Sequence, residues 1–245
     1  MISAVPAVVS IAMAALLGVS GYAGLPVLLA ACALVILGLA AGWGTLLDLP
    51  DPRGSALTII LSGGAGLVVV HNGRTEQRPL FAFSVLLAFS VLLAFAHELV
   101  RRDGRSDLVE SVTGTFVGQF IAVLGSAWVL LPATRLGDKG VLLAAVAVGA
   151  AGAAIAVPWP LRVAGWVALA AGAGAGVAMA TWVIDLELGR AAAVGAAIAS
   201  VFAVLSRMLA QEPNLRRTWG ALAAGLAPLA ASGTAAYAAA RLIVG

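Results

Sequence analysis

The chain offers little material for chemistry, and most of it is gathered in one place. Between His97 and Glu110 lie His97, Glu98, Arg101, Arg102, Asp103, Arg105, Asp107 and Glu110, eight ionisable residues in fourteen positions. Elsewhere long stretches carry no charge at all. A histidine beside a glutamate is a proton-handling pair in principle, because imidazole titrates near neutrality. The simpler reading leaves His97 and Glu98 solvated at a helix end beside Arg101 and Arg102. The arginines suit bidentate contact with a lipid phosphate or a partner's carboxylate, and each contributes about 1 kcal/mol of attraction near an anionic membrane surface. His97, Glu98, Arg101, Arg102 and Arg105 are therefore the candidate contact residues for a partner or an anionic phospholipid.

Other polar residues are isolated. Gln119 is the most polar residue well inside an apolar run, and a hydrogen bond between helices is the first role expected of it. Asp185 and Glu187 stand two apart, but nothing beside them in sequence completes an oxygen cage for a cation. Ser62-Gly63-Gly64-Ala65-Gly66 has the look of a phosphate turn. It lacks the following Lys-Ser/Thr, and reads instead as a close-packed or locally broken helix. Cys32, the only cysteine, stands inside an apolar run and has no partner for a disulfide. HExxH, GxSxG and CxxC patterns are all missing. No metal or cofactor is expected, and no catalytic residue is assigned.

The elements that hold these residues follow from composition. Hydrophobic residues make up 62% of the 245 and charged residues 10%, against roughly 45–50% and 25% in soluble domains. Such a chain has too few polar side chains to cover a water-facing surface, so lipid is the solvent that fits. The net charge of +3 comes from scattered arginines, with Lys139 the only lysine. That excludes the clustered basic face of a nucleic-acid binder. A chain rich in Ala, Gly and Arg points to a GC-rich bacterial genome, and so to the cytoplasmic (inner) membrane.

A helix crosses the hydrocarbon core with roughly 20 apolar residues. Polar breaks cut the sequence at about that interval, predicting spans at Val5–Ser20, Pro26–Leu47, Ser55–Val70, Pro79–Ala96, Val112–Leu131, Val141–Val157, Leu161–Ile184, Ala191–Leu209 and Trp219–Val244. The runs are continuously apolar rather than alternating, which argues for helices over a barrel. The expected fold is thus all-α, a polytopic bundle of about nine transmembrane helices forming one domain. The first run lacks a positive n-region and reads as a helix rather than a cleaved signal. The six tryptophans fall near predicted ends, where an indole N–H reaches the headgroup layer. Pro228, inside the last run, predicts a kink. Three GxxxG sequences, Gly38–Gly42, Gly114–Gly118 and Gly172–Gly176, predict close helix packing within the chain.

With nine spans, the loops His97–Glu110 and Arg207–Thr218 share one side, which their arginines mark as cytoplasmic. An eight-helix arrangement would invert part of that topology.

Residues 101–131, RRDGRSDLVESVTGTFVGQFIAVLGSAWVLL, resemble the middle of the bacterial CDP-diacylglycerol synthase (phosphatidate cytidylyltransferase) family. There a basic polar loop leads into a span of small residues with a Gly-Ser-aromatic-aliphatic ending. The resemblance implies a multi-helix fold with the same number of spans. The family's activity rests on a late signature of Ser, Lys-Arg, Lys-Asp, a Pro-Gly-His-Gly-Gly run and Asp-Arg, which holds metal ions and nucleotide. At that place this chain reads SRMLAQEPNLRRTWGALAAGL: Ser206 and Arg207 echo the start, while the acidic metal ligands and the histidine are missing. Nothing there would hold Mg²⁺ against a triphosphate. The resemblance thus implies a degenerate, non-catalytic member. Three functions follow as expectations: a non-catalytic subunit or scaffold of a cell-envelope or lipid-handling complex, a small permease or lipid flippase, or an enzyme acting on lipid headgroups through Asp48, Asp51, Asp103 and Asp107.

Overall fold

The computed structural model describes residues 5–73, 81–101 and 107–244, apart from the side chains of residues 161 and 162. These residues are helical with no strand among them. The helices are α1 (Val5–Ala23), α2 (Leu25–Leu46), α3 (Pro52–Gly73), α4 (Phe81–Val100), α5 (Leu108–Gly125), α6 (Asp138–Ala156), α7 (Leu161–Trp182), α8 (Leu188–Leu209) and α9 (Thr218–Ala239). A 3₁₀ segment, Ser126–Ala133, prolongs α5, and a π turn, Ala240–Val244, ends α9. Among the described residues, nine helices are long and apolar enough to cross a membrane. The protein is a multi-pass helical bundle, as the spacing of polar breaks predicts, and the eight-helix alternative falls. Pro79, the expected start of the fourth span, lies outside the described residues.

The most enclosed helix is α9, which packs against α1, α2, α5, α6 and α8. Its sequence, TWGALAAGLAPLAASGTAAYAA, is small on every side. In lipid there is no hydrophobic drive between helices, so close backbone approach supplies the dispersion contact. A Cβ on Gly225 would meet the Pro6 backbone of α1 at 2.5 Å, and one on Gly233 would run into the Trp128 ring. α9 continues through Pro228 to Ala239 without interruption.

The two edges of the bundle are α4, packed on α3 and α5, and α7, packed on α6 and α8. The outward faces carry Phe, Leu, Val and Trp, as lipid requires: Phe81, Phe89, Leu92 and Leu99 on α4, and Trp166 and Trp182 on α7. The tryptophans divide into two groups. Trp159, Trp166, Trp182 and Trp219 are exposed, as a headgroup belt needs. Trp43 and Trp128 are core residues, a correction to their reading as interface anchors. Their indoles donate instead to buried carbonyls, Gly114 O at 2.8 Å and Leu229 O at 3.1 Å.

All three GxxxG pairs are used inside the chain. Gly38 and Gly42 make room for Leu226 and the Trp219 carbonyl of α9. Gly114 and Gly118 accommodate Leu49, Trp43 and Ile59, and Gly172 and Gly176 lie against the α8 backbone. The Ser62–Gly66 stretch is unbroken helix: Gly63 packs on Ile36 and Ala122, and Gly66 approaches Ser126. Its close-packed reading holds, while a break or phosphate turn is excluded by the continuous helix.

Candidate functional site

The charged end of α4 does not dissolve into solvent. His97 and Glu98 stand on the last turn and Arg101 just after it, with Glu98 and Arg101 on one face at three residues' separation. Their side chains are only 3% and 4% exposed. Arg101 Nη1 donates to Glu98 Oε1 at 3.0 Å and lies 2.9 Å from Oε2. Ser111, on the first turn of α5, donates its hydroxyl to the same Oε1. A buried carboxylate is tolerable only when paired and hydrogen-bonded; Glu98 is paired with Arg101 and hydrogen-bonded at Oε1, while its Oε2 makes no hydrogen bond among the described residues. The expectation that His97 and Glu98 are merely solvated at an interface is thereby corrected. Folding α5 back along α4 covers them.

His97 extends the network to a third element. Its Nε2 lies 3.1 Å from Asp51 Oδ2, and its Nδ1 lies 3.7 Å from Glu98 Oε1 without a hydrogen bond. Both imidazole nitrogens thus face carboxylates. Asp51 precedes α3 and caps it, its Oδ1 accepting from the Gly54 N–H at 3.0 Å. The Gly54 N–H foremost holds the Asp51 carboxyl below its usual value of 3.8; burial opposes it, and His97 adds to the lowering. A Cβ at position 54 would collide with both the imidazole and the carboxylate and so displace their contact.

Further into the bundle, α5 and the first residue of its 3₁₀ extension present Ser111, Thr115, Gln119 and Ser126 on one face, all with no exposed surface. Positions 111, 115, 119 and 126 fall within about 80° of one another at 100° per residue. Opposite them α3 presents Ser55, Thr58 and Ser62, with Ser55 Oγ and Thr115 Oγ1 2.8 Å apart. α4 adds Ser90, whose hydroxyl meets Ser62 Oγ at 3.2 Å. A polar seam therefore runs from the charged end through the α3–α5 interface. Within it neither the Oε1 nor the Nε2 of Gln119 has a hydrogen-bond partner among the described residues. The helix-bridging bond expected of it is not made. Thr115 and Ser55 make one instead, a turn away.

Three helix ends share this face. His97 of α4 reaches Asp51 in the α2–α3 loop, and Arg217 of the α8–α9 loop approaches Asp48 in that same loop at 3.4 Å. The shared side expected for the two arginine-bearing loops is thus observed for their described parts. Arg102, Asp103 and Arg105 lie outside the described residues. On the opposite face, Glu187 and Arg190 pair in the open at 3.2 Å, a solvated contact. Among the described residues, no three His, Cys, Asp or Glu side chains gather where a metal ion could be held.

Sequence reasoning passed over Ser111, Ser55 and Ser90, met Ser62 only as the start of a glycine-rich stretch, and met Asp51 only as a loose acidic residue. The recoverable signal was the four-residue spacing of Ser111, Thr115 and Gln119, which places three polar side chains on one helix face. No family model, no curated protein and no solved structure matches the chain.

Proposed function

We propose that the protein is a non-catalytic subunit of a lipid-handling complex in the bacterial cytoplasmic membrane, engaging its partner at the α4–α5 end. One observation carries this reading: Glu98, Arg101, Ser111, His97 and Asp51 form a connected polar network tying three helices together at that end. Ionisable residues at membrane depth are costly and mark functional sites. The hydrogen bonds among these side chains build a scaffold for a contact surface. The resemblance of residues 101–131 to the cytidylyltransferase family, with that family's metal-binding signature missing, supports the same reading. The cytoplasmic placement of this face rests on its arginines.

The test is extraction in mild detergent with identification of co-purifying proteins and lipids. Wild type should retain a stoichiometric membrane partner. Replacing Arg102 and Arg105 together by Gln, with the buried Arg101 kept, should release it, with orientation in the membrane verified first. Unchanged retention in a correctly oriented variant makes the arginines topological only and rejects the reading. Protein given CTP, phosphatidate and Mg²⁺ should release no pyrophosphate above background; robust turnover would contradict a non-catalytic role.

A second reading, a small permease or lipid flippase, is favoured by the unpartnered Gln119 amide inside the polar seam. The locally broken helix that Ser62–Gly66 could have formed, which would have served such a pathway, is not present, since α3 is continuous. Its support is now the side-chain seam alone.

A further inference from the structure

A primary amide sealed from solvent and left without a partner is expensive, because the water bonds it gave up are not replaced. Gln119 is in that position, with an acceptor and a donor both unanswered. Helical register shows what stands at its height. Ser111 of α5 meets Glu98 of the antiparallel α4. Eight residues onward along α5 is Gln119, and eight residues back along α4 is Ser90, each about 12 Å from the charged end. On α3, Ile59 packs at the level of Gly118 and Gly63 at the level of Ala122. Ser62 therefore lies within a turn of the same height.

Ser62 and Ser90 also form the polar floor of a groove between α3 and α4. Its walls include Leu61, Leu86, Phe89 and Leu93, and its volume is about 390 Å³. That is more than ten times the ~30 Å³ share of a water molecule and within the range of small-molecule sites. The groove belongs to edge helix α4, whose outward face is turned to lipid, so its occupant comes from the bilayer.

We infer that Gln119, Ser62 and Ser90 form an intramembrane site for the hydroxyl end of an uncharged, single-chain amphiphile that enters sideways between α3 and α4. The alkyl chain lies along the apolar walls. The hydroxyl takes over the Ser62–Ser90 contact and answers the amide, since a hydroxyl both donates and accepts. A charged headgroup is excluded by the cost of placing it about 12 Å below the charged end in an apolar groove. The inference deepens the lipid-handling reading by naming the class of molecule. It does not use the arginine-bearing loop on which partner retention depends, so the two fail separately.

The experiment uses the full chain in phosphatidylcholine nanodiscs with a photoreactive diazirine derivative of hexadecanol, the labelled residues being identified by mass spectrometry. Labelling should concentrate on Leu86, Phe89 and Leu93. Unlabelled hexadecanol should compete at least tenfold better than hexadecyl methyl ether, which fills the same space but cannot donate. Gln119→Leu should lower labelling about tenfold, the loss of one well-placed hydrogen bond. Should that variant fold poorly, the competition in wild type decides alone. Equal competition by alcohol and ether would overturn the inference, as would labelling spread evenly over the outer face of α4 from Phe81 to Leu99.

Discussion

Two interfaces in this bundle use small residues to opposite ends. Between α7 and α8 the backbones nearly touch: Gly172, Gly176 and Gly195 interlock, and no side chain would fit at any of them. Between α3 and α5 the small residues are Ser, Thr and Gly, with Gln119 and Trp43 set among them. The first seam is satisfied by dispersion alone. The second carries hydroxyls, an unanswered amide and, at its end, an ion pair. Helices that need only to cohere do so without polar groups, so polar groups at membrane depth mark an interface with a further task. Edge position sharpens the contrast. α7 and α4 are both peripheral, yet among the described side chains of the two only α4 brings ionisable residues into the interior.

The largest effect that would break this contrast is at the ion pair. Arg101→Met leaves the Glu98 carboxylate buried beside one hydroxyl, and we expect a loss of about 3–5 kcal/mol. Adding Glu98→Gln should recover most of it. Thermal unfolding of both variants in detergent checks this, and a double variant as unstable as the single one would show that the pair is not the cause.

The glycine seam should come next. Gly195→Ala places a methyl against the Gly172 carbonyl and should cost about 1–3 kcal/mol. Gly174→Ala on the open face of α7, where nothing lies within 4 Å, should cost almost nothing. Equal effects at the two positions would mean that α7 and α8 are not in close contact.

Within the polar seam, Trp43→Phe should lose about 0.5–1.5 kcal/mol, the value of its hydrogen bond to Gly114 O. Gln119→Leu should lose no stability, because it removes two unanswered polar atoms while keeping the volume. A substantial loss at Gln119 would place it with the structural residues of the first seam.

The smallest effect concerns acid. The Asp51 carboxyl is held below its ordinary 3.8, so its stabilising contacts are complete above that value. They disappear as pH falls through the lowered value, since protonation removes the charge that the Gly54 N–H and His97 favour. Asp51→Asn should therefore lower stability by a constant amount from pH 6 to 8, with the difference from wild type shrinking below about pH 4. A difference that persists undiminished in acid would contradict the assignment.

The spans were legible because hydrocarbon thickness imposes their length and backbone hydrogen bonding imposes helices. Their ends were less so: α3 begins at Pro52 and α5 at Leu108, each a turn or so before the apolar run, since capping by Asp51 and burial of Ser111 extend them. The site was legible as a location, not as a structure. His97, Glu98 and Arg101 stand out by charge, but burial by α5 depends on which helices pack together, and span spacing carries no such information. Trp43 and Trp128 misled for the same reason, because an indole near a span's end is an anchor on the outside and a core donor on the inside.

Everything proposed for the α4–α5 end depends on the polar seam opening at the same face as the α8–α9 loop. Single cysteines in a Cys32→Ala background, probed in intact cells with a membrane-impermeant maleimide, read this directly. Cysteines at Asp48 and Glu212 should be protected together, and those at Gly137 and Asp185 should label together from outside. If Asp48 and Glu212 fall on opposite sides, the shared face does not exist and the site built on it is wrong.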